Sequence, residues 1–219
     1  MRMVYADSGI DIELVENCVN TITIEAPSMF RSMVGDLWEQ TNGGEGKWII
    51  SEAEKELKLS KICEVIVNPF AIDVNDRKMV GVLCEEIKTI ADSEQYEYTS
   101  RIQTEIYSYL ESLISSLPYS LSCDLELDLI ALLKSYHIRL DEFSGIERII
   151  NYMKLRHQVI GTRVFVWVNG KNYFSEDELE EIYKEAFYEK IQIVVLEAVE
   201  TKRSVFEESL IFDKDFCII

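Results

Sequence analysis

"CVNTITIEAPSMFRSMVGDLWEQTNGGEGKWIISE" (residues 18–52) holds the glycine-rich run on which the reading of the chain turns. Within it, "TNGGEGKW" (41–48) has three glycines and a lysine, the composition of a loop that cradles phosphate. The order of elements argues otherwise. "CVNTITIEAP" (18–27) alternates apolar with polar residues up to Pro27, which predicts a strand ending in a turn. Pro27 suits the first turn of a helix, and Met29, Phe30, Met33, Val34, Leu37 and Trp38 follow at helical spacing. The glycines end that helix, and "KWIISE" (47–52) continues as a short strand. In a phosphate loop the glycines follow a strand and open a helix, so that helix amides and a lysine converge on the phosphate. Here they follow a helix and open a strand. Thr41 replaces the first glycine, and Trp48 stands where Ser or Thr would hold magnesium. The strand that does enter a helix does so through "EAPSMF" (25–30), without a glycine. No nucleotide site is expected.

Further along, "ICEVIVNPF" (62–70) is an almost unbroken apolar run, predicting a strand buried on both faces. From about Asp73 to Leu117 the period changes. Val80, Leu83, Cys84, Ile87 and Ile90 stripe one helix. Ile102, Ile106, Tyr109, Leu110, Leu113, Ile114 and Leu117 stripe a second, with "SEQYEYT" (93–99) as the turn between them. After "DLELDLIALLKSYHIRLDE" (124–142) come a helix "GIERIINYMKLRHQVI" (145–160), a strand "RVFVWVN" (163–169), a helix "EDELEEIYKEAFYE" (176–189) and a strand "IQIVVLEA" (191–198). Ser144 with Glu147, and Ser175 with Glu178, have capping-box spacing. "LIFDKDFCII" (210–219) is expected to add edge strands. Strands alternating with helices on either side of a helical excursion imply an α/β sheet with an inserted arm. The boundaries place the α/β part at 1–71 and 135–219, and the helical insertion at 72–134.

The 219 residues carry a formal charge of −18, which by itself argues against a polyanionic partner. Five scattered cysteines, never spaced C-x-x-C, suit a reducing cytosol. No apolar run approaches the ~20 residues that span a bilayer, and the acidic "MRMVYADSGIDIELVEN" (1–17) does not read as a signal peptide. A cytoplasmic chain with no membrane contact is expected. His137 and His157 lack a nucleophile elbow nearby and read as structural, so no catalytic residue is assigned.

Chemistry concentrates in "CDLELD" (123–128). On an extended segment Asp124, Glu126 and Asp128 would share one face, with Leu125, Leu127 and Leu129 on the other. Three hard oxygen ligands suit Ca²⁺ better than Mg²⁺, and Asp141 and Glu142 could fold back to complete the set. The competing reading makes these acids the N-terminal cluster of a helix, favoured by its dipole. Basic residues are few and loosely grouped, without the pattern of a base-reading module.

Across nearly its whole length the chain resembles the accessory protein of type II-A CRISPR loci that is required for acquiring new spacers. The resemblance is carried by "NTITIEAPSMFRSMVGDLW" (20–38), "SKICEVIVNPFAIDVNDRK" (60–78), "DLELDLIALLKSYHIRLDE" (124–142) and "RVFVWVNGKNYFSEDELEEIY" with "IQIVVLEA" (163–183 and 191–198), in family order. It implies a head similar to P-loop ATPases but with a degenerate nucleotide site, and an inserted α-helical leg. It also implies a homotetrameric ring, sequence-independent and calcium-dependent binding of double-stranded DNA ends, and work alongside the CRISPR integrase and effector nuclease. Family calcium sits near the junction of head and leg, where "DLELD" is expected to fall. Lys134, Arg139, Lys154 and Arg156, close in sequence to that hinge, are the candidates for contacting DNA phosphates. The alternative is a metal-dependent nuclease built on Asp124, Glu126 and Asp128. A residual ATPase and a purely protein-binding acidic protein are further rivals.

Overall fold

The computed structural model describes residues 1–6, 8–215 and 217–218. It divides into two compact units, Met1–Val74 with Glu142–Ile219, and Asn75–Asp141.

The first unit opens with a hairpin that the sequence reading does not anticipate, β1 (Arg2–Tyr5) and β2 (Ile10–Glu13), closed through Gly9 at φ +77°. Arg2 and Asp11 pair across it. The strand expected at 18–25 is β3 (Val19–Ile24), and the helix after it is α1 (Pro27–Thr41), with Pro27 in its first turn. β4 (Trp48–Glu52) and β5 (Lys55–Leu57) join the hairpin in an antiparallel sheet ordered β2-β1-β4-β5. A single turn, α2 (Leu59–Ile62), leads into β6 (Cys63–Ile66).

The helical unit comprises α3 (Arg77–Asp92), α4 (Tyr96–Ser115) and α5 (Leu129–Ser135). Asp76 caps α3, accepting from the Lys78 and Met79 N–H groups at 2.8 and 2.9 Å. Both α4 and α5 pack on α3. The base of the unit is tied by Asn75: its Nδ2 donates to Leu140 O (3.1 Å), and its Oδ1 accepts from Leu140 N–H (2.7 Å). The core is thin. Met79 and Cys84 are its buried side chains on α3, and α4 buries none. Of the expected α4 stripe, Tyr109, Leu110, Leu113 and Leu117 remain exposed.

The chain then forms α6 (Gly145–Leu155), β7 (Val164–Val168), α7 (Glu176–Tyr188), β8 (Gln192–Glu197) and β9 (Glu207–Phe212). The helix expected to run through 160 ends at Leu155 and gives way to a π turn, Arg156–Ile160, closed by left-handed Gly161. The Ser175–Glu178 capping box forms. The Ser144–Glu147 box does not: Ser144 is the N-cap, but Gly145 takes φ +56° and turns the backbone off the helical path the box needs.

Five strands make a parallel sheet ordered β6-β7-β8-β3-β9. The apolar run at 62–70 therefore yields an edge strand, paired on one side to β7, with Val65 half-buried and Val67 exposed. The tail supplies the opposite edge, and Phe212 bridges to Ile218; Phe216 and Ile219 lie outside the described residues. Side-chain alternation sends Ile22, Ile24, Val164, Val166, Val194 and Leu196 to one face of the sheet, against Met33 and Leu37 of α1 and Trp48 and Ile50 of β4. Phe165, Trp167, Ile193 and Val195 take the other face, and Leu179, Ile182 and Tyr183 of α7 are buried with them. Each such fully buried large side chain contributes about 1.5–3 kcal/mol.

Candidate functional site

In doubly wound sheets, phosphates bind where an interior parallel strand enters its helix. β3, interior in the sheet and leading directly into α1, is one such strand. Its exit holds Glu25, whose N–H is committed to Phe212 O at 2.9 Å, then Ala26 as N-cap without a side-chain bond, then Pro27, which has no N–H. An acid and a missing donor stand where a phosphate loop offers amides. The glycine loop serves packing instead. Gly44 N–H closes α1 on Glu39 O at 2.8 Å. The Gln40 carboxamide meets both backbone groups of Trp48, at 2.8 and 2.9 Å, and a Cβ at Gly46 would lie 2.6 Å from Gln40 Oε1. Trp48 is itself core: its Nε1–H donates to Met33 O at 2.9 Å, and its ring meets Tyr5 edge-on at 5.0 Å.

Asp124, Glu126 and Asp128 line a groove of about 830 Å³ inside the helical unit, with Lys88, Asp92, Thr99 and Gln103. The expected extended segment is interrupted by a bend at Leu125–Glu126, so the acids do not share one strand face, and Leu125 is left 65% exposed. Gln103 Nε2 donates to Leu125 O at 2.5 Å, fixing the bend to α4. Asp128 takes the helix-capping role, accepting from Ala131 N–H at 2.9 Å. The segment lies within the Asn75–Asp141 unit; the chain passes between units at 74/75 and 141/142. Asp141 and Glu142 flank that second crossing, both exposed. Among the described residues no three His, Cys, Asp or Glu side chains are gathered closely enough to hold a metal ion. The carboxylates as they lie do not close round a calcium ion, which takes about 6–8 oxygens.

The four basic candidates separate into two kinds. Lys134, near the end of α5, and Arg139 are exposed. Lys154 is ion-paired with Glu185 at 2.7 Å, and that hydrogen bond raises its ammonium above the ordinary lysine range. Arg156, expected at the interface, lies inward. It is 8% exposed, its Nη2 donates to Glu64 Oε2 at 2.5 Å, and its guanidinium lies 5.5 Å from the Tyr152 ring centroid. Tyr152 O–H donates to the other Glu64 oxygen at 2.9 Å. The π turn brings Arg156 inward, and its charge serves the fold. Of the two histidines, His157 Nδ1 lies 2.6 Å from Thr162 O, and His137 is exposed and adopts φ +52° after α5.

Sequence reasoning missed a buried polar cluster on the α7 side of the parallel sheet, formed by Lys171, Tyr183, Glu197 and Glu207. The only hint was a glutamate closing the apolar run "IQIVVL".

Fold and site together define a mixed α/β protein with a separate helical unit, with Glu25, Ala26 and Pro27 at the turn from β3 into α1. A family model described as CRISPR-associated protein (Cas_Csn2) matches residues 40–216, from the last turn of α1 past β9 and through the whole helical unit. The chain belongs to this family of type II-A CRISPR accessory proteins, and its role is in CRISPR adaptation.

Proposed function

We propose that the protein binds ends of double-stranded DNA without reading sequence, as a homotetrameric ring that requires calcium, and presents them to the CRISPR integrase and effector nuclease during spacer acquisition. Family membership over residues 40–216 is the observation that carries this reading. The head is proposed to be of P-loop-ATPase type with its nucleotide site lost. Support comes from the parallel sheet with β3 in its interior, and from Glu25-Ala26-Pro27 at the turn where phosphate amides belong. A chain of charge −18 must grip phosphates through localised cations. Lys134 and Arg139 are the exposed members of the candidate set.

The test is a filter-binding titration of linear against closed-circular duplex, with calcium and with chelator. Retention of the linear form alone, abolished by chelation, is the expected result. Equal retention of both forms removes the end-binding reading, and binding that survives chelation removes the calcium requirement.

A second reading, a metal-dependent nuclease, draws on the groove, which brings Lys88 and Asp92 beside Asp124, Glu126 and Asp128. Incubation of linear and nicked DNA with Mg²⁺ or Mn²⁺ separates the two. Cleavage lost in Asp124→Ala favours the nuclease; intact DNA throughout favours binding alone.

A further inference from the structure

Glu197, the last residue of β8, is 0% exposed. Its Oε1 accepts the Lys171 N–H at 3.0 Å, while Oε2 is buried without a hydrogen-bond partner among the described residues. The ammonium of Lys171 is engaged elsewhere, with Glu207 Oε2 at 2.6 Å and Lys202 O at 3.2 Å. Both Glu207 oxygens are engaged: Tyr183 O–H donates to Oε1 (2.9 Å), and Ser204 N–H to Oε2 (3.3 Å). Of these two enclosed carboxylates, Glu207 alone is ion-paired with the Lys171 ammonium. The Lys202 ammonium lies at the surface with Glu176, and Arg203 Nε donates to the Glu207 backbone oxygen at 2.6 Å. An unpaired carboxylate in such a place is costly, and the usual relief is uptake of a proton.

We propose that Glu197 binds a proton in the folded protein, and that this proton keeps the 198–206 crossover fastened to the sheet. That crossover carries the chain from β8 past β3 to β9 without a helix, in fewer residues than the dozen or more usual for parallel connections. Its fastenings run through the cluster: Lys171 Nζ holds Lys202 O, the Glu207 carboxylate holds Ser204 N–H, and Arg203 holds Glu207 O. Ala198 N–H adds a bond to Asn169 Oδ1 at 3.1 Å. Were Glu197 to ionise, Lys171 would be drawn between two anions and its grip on Glu207 and Lys202 would weaken. Burial pushes the Glu197 carboxyl above the usual carboxylate range, opposed by the Lys171 N–H and ammonium, and the negative charge of Glu207 adds to the push. Because the folded protein holds this proton more tightly than the unfolded chain, the stability that Glu197 contributes is fully present below the ordinary glutamate range. It declines as pH rises through the folded value.

The test follows the urea midpoint of the full chain from pH 5 to pH 9, with amide exchange of residues 199–206 corrected for its intrinsic pH dependence. Wild type is expected to lose midpoint and crossover protection as pH rises; Glu197→Gln, neutral throughout, is expected to lose neither. Equal slopes in the two proteins overturn the proposal. Infrared spectra of wild type at pH 6 provide a readout that needs no variant to fold: a protonated-carboxyl carbonyl band is expected, and its absence also overturns the proposal. Glu207→Gln frees Lys171 for Glu197 and should shrink the decline, whereas an undiminished decline counts against the link through Lys171.

Discussion

Arg156 and Glu64 face each other with side chains 9% and 23% exposed, a pair mostly withdrawn from water. Removing one partner strands the other, so Arg156→Ala should cost roughly 2–4 kcal/mol by urea unfolding, somewhat less than a fully enclosed pair because Glu64 keeps some solvent. Duplex affinity per folded molecule should stay unchanged; a selective loss of affinity in a fully folded variant would restore Arg156 to the interface. Nothing in "MKLRHQ" separates Arg156 from Lys154, because both belong to a helical run and the π turn that re-aims one of them leaves no residue signature. A second residue-scale effect falls at Gly170, where an added Cβ would lie 2.8 Å from Trp167 Cε3. Gly170→Ala should destabilise by about 1–3 kcal/mol through overpacking, visible as a lower thermal midpoint with altered near-ultraviolet dichroism of the tryptophans. An unchanged midpoint would mean that the 170–172 turn yields.

At the scale of elements, Asp128 has two candidate tasks that substitution can pull apart. Asparagine caps a helix about as well as aspartate, so Asp128→Asn should leave stability nearly unchanged, while Asp128→Ala should lose about 1 kcal/mol. If Asp128 also serves a cation, the asparagine variant alone should weaken the calcium response of duplex binding. A normal response in that variant confines Asp128 to capping. The same residue shows where pattern reading fails. Alternation at 124–128 predicts a shared face, but the Asp128 cap satisfies a helix donor at Ala131 N–H, and the bend at Leu125–Glu126 is held through Leu125 O by Gln103. Elements with unambiguous periods were legible, among them β3, α1, β7, α7 and β8. β6 forms where the apolar run predicts it but is only partly buried, since such a run does not reveal whether a strand has a neighbour on both sides. The β1–β2 hairpin was overlooked although "RMVY" and "IDIE" alternate on either side of Ser8-Gly9, because each strand is only four residues long.

For the whole molecule, the charge of −18 makes ionic strength the most telling variable. The logarithm of duplex affinity should fall linearly with the logarithm of salt, by about 0.9 for each phosphate neutralised. Replacing Lys134 and Arg139 together by alanine should flatten that slope by about 1.8 per chain engaged. An unaltered slope would show that neither side chain meets a phosphate. The excess of acid was plain from composition, whereas the sorting of basic residues into exposed and ion-paired was not, because it depends on partners such as Glu64 and Glu185 that lie far off in sequence.

The Asn75 carboxamide grips both backbone groups of Leu140, so the helical unit starts and finishes within one side chain's reach. A segment closed at its root in this way behaves as a cassette. It can be lengthened, shortened or spliced out between residues 74 and 142 while the gap left for the sheet-bearing part to bridge stays the same. Variation among homologues should therefore gather in the arm, and a graft from a longer-armed relative should leave β6 and α6 in place.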